Sequence, residues 1–266
     1  MIFDKLIIGA IAGDMISSHQ KEKRVEAGNL SLPDNKTEFT ASTVLTVATM
    51  DALLNGREYF HIMKSYGLRY PGRGYGAAVL RWMRDDHPKP YHSWNNSVAL
   101  RISPIGHACR TVNETLEEAR KFAEISHNHP DGIRGAQATA VSVFLAKNGR
   151  TKEEIRSYIE ATFGYDLQKT IEIVRPEFYY DNSCESSVPA ALIAFLDSCD
   201  YENAIRLAVS LGEGCGTLAC ITGGIAQAFY KKIPGNIARP VVEQLSPRLY
   251  ETIEKFSCSY PMSLFI

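Results

Sequence analysis

Two stretches of this sequence, residues 44–54 and 218–229, are apolar nearly all the way round a helix rather than along one stripe. A helix of that kind offers no face to water and must be enclosed by other elements on every side. A chain with two such helices needs a large multi-helix core. Its 266 residues, 45% of them apolar, are enough to build one. The rest of the sequence agrees, because strand-like alternation is nearly absent while helix boundaries recur. Thr151-Lys-Glu-Glu154 is a capping box, and Gly164 is a stop for the helix it starts. Asp200 caps a helix with Ala204, Ile205, Ala208 and Leu211 on one face, ending at Gly212. Thr115 is expected to open another, with Leu116, Ala119, Phe122 and Ala123 at helical spacing. Pro240 suits the first turn of a last long helix. The stretches 68–76 and 86–104 read as connections. Without a linker, a repeat or a shift in composition, the expected architecture is all-α, a single domain over 1–266.

Charge excludes some function classes. The 29 basic and 30 acidic residues are well mixed and leave a net charge of −1. No basic face of the kind nucleic acids require stands out. No apolar run approaches the roughly 20 residues that span a bilayer. The start, Met1-Ile2-Phe3-Asp4-Lys5, lacks the pattern of a secretory leader, so a cytoplasmic location is expected. The six cysteines, Cys109, Cys184, Cys199, Cys215, Cys220 and Cys258, follow no framework of spacings and read as reduced thiols. No CxxC pair suggests zinc.

Several local patterns carry less than they first suggest. Gly72-Arg-Gly74-Tyr-Gly76 and Gly212-Glu-Gly214-Cys-Gly216 lack the spacing and preceding strand of a dinucleotide fingerprint. The first reads as a tight turn before a helix. His127-Asn128-His129-Pro130 joins the end of one helix to the start of the next, where a histidine is more often a cap or a ligand contact than a metal ligand. Cys184 lies just before a helix, a position that lowers a thiol pKa, although a buried packing cysteine is the simpler account. Both all-apolar helices follow short stretches of small polar residues, Thr40-Ala41-Ser42-Thr43 and Gly212 to Thr217. The two helix N-termini are therefore expected to face one place.

A set of motifs in one order covers nearly the whole chain. They are Gly9-Ala-Ile-Ala-Gly13-Asp14, Phe39-Thr40-Ala-Ser-Thr43, Tyr70-Pro71-Gly-Arg-Gly74-Tyr75-Gly76, and Asn96-Ser-Val-Ala-Leu-Arg101-Ile-Ser103-Pro104. After these come Ser126-His127-Asn-His129-Pro130, Gly135-Ala-Gln-Ala-Thr139, Ser183-Cys184 to Pro189, and Thr217-Leu-Ala-Cys-Ile221-Thr-Gly223-Gly224. Together they resemble the ADP-ribosylglycohydrolase family, which includes the dinitrogenase-reductase-activating type. The resemblance implies a compact orthogonal bundle of helices around a central cleft. It also implies hydrolysis of the glycosidic bond that joins ADP-ribose to a side chain, with two magnesium ions.

The departures fall where that chemistry would sit. The family's Thr-Asp-Asp-Thr is Thr40-Ala41-Ser42-Thr43 here, and its Gly-Gly-Asp-Ser-Asp-Thr is Gly212-Glu213-Gly214-Cys215-Gly216-Thr217. Its early glutamate aligns with Lys21, and its Gly-(Asn/Asp)-Gly loop is Asn95-Asn96-Ser97. Magnesium is a hard cation that is normally anchored by carboxylates, so no metal and no other cofactor is expected. The resemblance implies an inactive homologue that binds ADP-ribose, a related nucleotide or an ADP-ribosylated partner. The ligand-contact candidates are Asp14, Thr40, Ser42, Asn96, Ser97, His127, Ser183, Cys184, Glu185, Gly214 and Thr217. A rebuilt hydrolase using Asp14, Glu185, Glu213 or Cys184, and a structural partner with a closed cleft, are the alternatives. At the altered metal positions, two helix N-termini with free N–H groups could receive an anion. Equally, Lys21 or water could fill the space.

Overall fold

A computed structural model describes residues 5–18, 30–34 and 37–262. Lys21 lies outside the described residues. The first half of the chain forms α1 (Gly9–Ser17), α2 (Ala41–Asn55), α3 (Tyr59–Arg69), α4 (Ala77–Arg84), a 3-10 turn (Ala99–Arg101), α5 (Ser103–Ala108), α6 (Val112–Glu124) and α7 (Pro130–Lys147). The second half forms α8 (Lys152–Phe163), α9 (Ile171–Glu177), α10 (Cys184–Asp197), α11 (Tyr201–Val209), α12 (Cys215–Tyr230), α13 (Gly235–Glu243) and α14 (Pro247–Ser259). Among the described residues the only extended pairing is one bridge between Asn95 and Ser183.

The helices predicted to be enclosed are enclosed. Around α12 pack α1, α7, α10 and α11, and around α2 pack α1, α3, α5 and α14. The α1–α12 contact is the tightest in the fold, because glycines remove the side chains that would hold the two backbones apart. A Cβ on Gly13 would lie 2.1 Å from the Ala219 carbonyl oxygen, and one on Gly9 2.3 Å from that of Gly223. Gln227 of α12 then satisfies the start of α1. Its Oε1 accepts from the amides of Ile8 at 2.9 Å and Gly9 at 2.6 Å, and its Nε2 donates to the Leu6 carbonyl. A buried amide that meets all its partners fixes register as well as proximity.

Most expected boundaries hold. Thr151 and Glu154 form the capping box of α8, and Gly164 closes that helix with φ 72°. Asp200 caps α11, which ends at Val209 rather than continuing to Gly212. Gly76 precedes α4 after positive-φ turns at Gly72 and Gly74. Two expectations are corrected. The cap of α6 is Thr111, whose hydroxyl accepts from the Glu114 amide at 3.1 Å, and Thr115 is buried one turn inside the helix. Both threonines are followed three residues later by glutamate, and the chain uses the earlier pair. Pro240 lies within α13, and the last helix starts instead at Pro247, behind the Ser246 cap. No helix among the described residues is long and apolar enough to cross a membrane. None of the six cysteines is in a disulfide.

Gly13→Ala tests the α1–α12 contact. The added methyl must push backbone against backbone, so a loss of at least ~3 kcal/mol in urea unfolding is expected, the upper end of overpacking costs. Wild-type stability in that variant would show that the two helices slide freely.

Candidate functional site

The N-termini of α2 and α12 open on one pocket, as their sequence contexts suggested. Ala41 and Ser42 stand on one side and Thr217 on the other, and the cavity measures about 910 Å³. That volume suits a ligand the size of a nucleotide. Three connections complete the walls. Residues 70–76 and α4 bring Tyr75 and Trp82, residues 91–97 bring Tyr91, Trp94, Asn96 and Ser97, and residues 178–183 bring Tyr180 and Asn182. Trp94 is 56% exposed. Backbone hydrogen bonds hold the last two loops together. The Asn96 amide donates to the Asn182 carbonyl at 2.8 Å, and the Cys184 amide donates to that of Trp94 at 3.0 Å. The charged rim is balanced, with Arg81 and Lys89 facing Asp85 and Asp181.

The floor of the pocket is neutral. Asn96 is buried, and its Nδ2 donates to Tyr180 Oη at 3.1 Å and to Ser187 Oγ at 2.8 Å. Tyr180 Oη lies 3.4 Å from Thr217 Oγ1. The Tyr180 ring rests directly on Gly214, the left-handed cap of α12 with φ 73°. A Cβ at Gly214 would sit 2.1 to 2.4 Å from three atoms of that ring. Any larger residue at position 214 therefore competes with Tyr180 for the same space.

The helix ends differ from the expected anion site. Asp14 Oδ2 accepts from the amides of Thr40 at 3.0 Å and Thr43 at 3.2 Å. Its oxygens also take the hydroxyls of Thr40 and Thr43, each at 2.6 Å. The Ser42 amide turns to Thr40 Oγ1, and the Ala41 amide to the Arg73 carbonyl. All the leading amides of α2 are thus satisfied within the protein, and a carboxylate already answers its dipole. At α12 the Cys215 and Thr217 amides turn back to the carbonyls of Gly212 and Gly214. The expectation of free N–H groups fails at α2, because the Asp14 carboxylate caps the helix. Burial pushes the Asp14 carboxyl above its ordinary range, against the opposing pull of its Thr40 and Thr43 hydrogen bonds.

Comparison with known proteins decides the family. The sequence model of the ADP-ribosylglycohydrolase family matches residues 5–258. The chain belongs to this family. ADP-ribosylhydrolase ARH3 of Gallus gallus is 24% identical, with 85% of this chain and 76% of that protein covered. ADP-ribosylhydrolase ARH3 of Homo sapiens is 23% identical over 72% of this chain and 70% of that protein. ADP-ribosylarginine hydrolase Tri1 of Pseudomonas putida is 26% identical over 58% of this chain and 44% of that protein. A solved structure described as an ADP-ribosylglycohydrolase-related protein complex superimposes with a TM-score of 0.72 at 21% identity, covering 97% of this chain and 98% of that one. The last shows that the helical architecture is the family's.

Of the candidate residues, the ADP-ribosylglycohydrolase fold brings Ser42, Asn96, Ser97 and Thr217 to the pocket wall. Asp14 and Thr40 lie behind it, locked to each other. His127 is buried behind Ser97, to which its Nε2 is hydrogen-bonded at 2.9 Å. Ser183 caps α10 by accepting from the Ser186 amide. Cys184 is enclosed against Gly135, and burial pushes its thiol up to about 12, so it is an inert packing cysteine. Glu185 is exposed and paired with Arg134, and Glu213 is exposed beyond the pocket wall. His129 is the cap of α7, accepting from the Asp131 amide at 3.2 Å. The aromatic residues Trp82, Trp94 and Tyr180 escaped the sequence reading. Trp94 and Tyr180 sit in irregular segments, where no periodicity marks a common face, and Trp82 lies in the short helix α4.

Asp14→Asn separates the capping role from a ligand role. Replacing a charged acceptor of buried hydrogen bonds should cost about 2–3 kcal/mol at pH 7. A carboxyl whose pKa is higher folded than unfolded takes up a proton on folding. The margin of wild type over Asp14→Asn should therefore be greatest at and below the ordinary value of 3.8, the increment being lost as pH rises through the raised folded value. Urea titrations at several pH values would read this, and a margin that narrows on acidification would contradict it.

Proposed function

We propose that this ADP-ribosylglycohydrolase-family protein binds ADP-ribose, a related nucleotide or an ADP-ribosylated partner in the aromatic pocket, without a magnesium pair and without the family's metal-dependent hydrolysis. The observation that carries this is the Tyr180 ring on Gly214. The positions that resemble the family's aspartate pairs, Ala41 with Ser42 and Gly214 with Gly216, offer one hydroxyl among them. Two adjacent divalent cations require several negative oxygens to offset their repulsion. The Asp14 carboxylate is committed to the α2 cap, and Tyr180 fills the space over Gly214. This donor set does not fit the metal pair. The protein's own groups do suit a nucleotide. Trp94 and Tyr75 give faces for a base, while Asn96, Ser97 and Ser42 give polar contacts for a ribose. The open cavity favours this over a closed structural partner.

Calorimetry with ADP-ribose tests the reading. Saturable binding that is unchanged by a chelator is expected, and Trp94→Ala should weaken it about tenfold while leaving the fold intact, in keeping with stacking on an exposed ring. Absence of binding at millimolar ADP-ribose would refute it.

Metal is tested separately by thermal shift. Wild type should show no magnesium-specific stabilisation. The fourfold variant Ala41→Asp, Ser42→Asp, Gly214→Asp, Gly216→Asp should show none either, because Asp at position 214 collides with Tyr180. A clear stabilisation of wild type by millimolar magnesium, absent with other salts, would overturn the metal-free reading.

A further inference from the structure

A line of four side chains runs from the pocket wall into the core, and of these the ligand reading uses only Ser97. Ser97 faces the pocket, and its Oγ is 2.9 Å from His127 Nε2. The other ring nitrogen of His127, Nδ1, is 2.7 Å from Ser126 Oγ. Ser126 Oγ in turn accepts from Arg101 Nη2 at 3.3 Å. Arg101, His127 and Ser126 are all fully buried. The Arg101 guanidinium carbon lies 5.5 Å from the centre of the Phe122 ring, and its Nε and Nη1 find no partner among the described residues. Ser97 stands where the resembling family loop, Gly-(Asn/Asp)-Gly, carries its second glycine.

We propose that Ser97 and His127 form a metal-independent nucleophile–base pair that cleaves carboxylic esters held in the aromatic pocket. A serine within hydrogen-bond reach of an imidazole whose second nitrogen is held by a third group is the arrangement that activates a hydroxyl. In the first step Ser97 Oγ bonds to the acyl carbon as its proton passes to His127 Nε2. The bond from that carbon to the leaving oxygen then breaks, and the leaving alcohol takes the proton from Nε2. Water next attacks the acyl-serine, giving its proton to Nε2, and the bond to Ser97 Oγ breaks as Oγ recovers that proton. The products are an acid and an alcohol, and nothing is oxidised or reduced.

Ser126 and Arg101 are positioning residues. Ser126 fixes the ring, and Arg101 holds Ser126. Burial first, and the Arg101 charge second, keep His127 well below the usual histidine range. The ring is therefore neutral at neutral pH, and in the tautomer that carries its proton on Nδ1 it can accept one at Nε2. The same charge opposes the imidazolium that forms during attack, so the pair is a weak base. The esters it can open are consequently those with good leaving groups, such as phenolic esters.

The proposal uses the same pocket as the nucleotide reading but does not depend on its ligand. Its test is labelling of the intact protein with a fluorophosphonate probe, together with p-nitrophenyl acetate turnover. Wild type should gain one adduct, mapped by peptide mass to Ser97, with an initial burst of nitrophenol. Ser97→Gly restores the family's residue and should lose both. His127→Gln, which keeps a hydrogen-bonding group, should slow labelling at least a hundredfold with its melting temperature little changed. An unlabelled wild type, an adduct on another residue, or His127→Gln labelling as fast as wild type would each overturn the proposal and leave a pair that merely braces the 91–97 loop. ADP-ribose binding without labelling sinks the dyad alone, and labelling without ADP-ribose binding sinks the nucleotide reading alone.

Discussion

The backbone contact between α1 and α12 sets the position of nearly everything at the pocket. Gly9 and Gly13 let α1 lie against the carbonyls of Gly223 and Ala219, and Gln227 pins its first turn. Asp14 follows immediately, and its location is decided by that contact rather than by any ligand. From there its carboxylate reaches both leading threonines of α2 and orients that helix toward α12. A buried carboxylate is expensive unless it is well hydrogen-bonded, and four donors at 2.6 to 3.2 Å meet that requirement. The carboxylate thus holds α1 and α2 together at the edge of the cleft.

The sequence disclosed the parts of the fold whose physics is local. An all-round apolar segment has to be buried, and a threonine three residues before a glutamate can cap a helix. Where two such signals compete, local reasoning has no way to choose. Thr111 and Thr115 offer the same pattern, as do Pro240 and Pro247 as helix starts, and tertiary packing selects between them. The site was legible at Ser42, Asn96, Ser97 and Thr217, because these lie in motifs that resemble the family's. It was not legible at Tyr180. A tyrosine in an irregular loop gives no sign of the glycine it covers 34 positions later, and only the three-dimensional contact relates them. The free helix ends inferred from missing carboxylates failed for a related reason. Asp14 satisfies the α2 amides from another helix, a placement that only the fold reveals.

Ser97 shows how one added hydroxyl changes what a neighbouring residue can do. In a loop with glycine at that position, a histidine behind it would face backbone. Here His127 has a partner on each ring nitrogen, 2.9 Å toward the pocket and 2.7 Å toward Ser126. The constraint on His127 comes from burial and from Arg101, neither of which involves the pocket, so the ring is already fixed before any ligand arrives. Preorganisation of that kind removes reorganisation from the moment of reaction or binding.

The proposed reading, a cleft without the metal pair that still takes the same kind of ligand, is consistent in its charge. Four aspartates carry about −4 and two magnesium ions about +4, so a loaded family site is close to neutral overall. Ala41, Ser42, Gly214 and Gly216 are neutral without metal. The rim, with Arg81 and Lys89 against Asp85 and Asp181, adds no net charge. A ligand approaching this pocket therefore meets a field of similar net sign to that of the metal-loaded site, although not the focused cationic charge that polarises a scissile bond. Binding and bond cleavage rest on different parts of that charge distribution. Binding needs shape, aromatic faces and an unfavourable field kept small, all of which the neutral floor of Asn96, Tyr180 and Thr217 supplies. Glycosidic cleavage needs charge aimed at the transition state, and neutral hydroxyls and amides are individually far weaker at that task. Replacing carboxylates and metals together is thus a coherent single change. Replacing the carboxylates while leaving cations in place would have been electrostatically untenable.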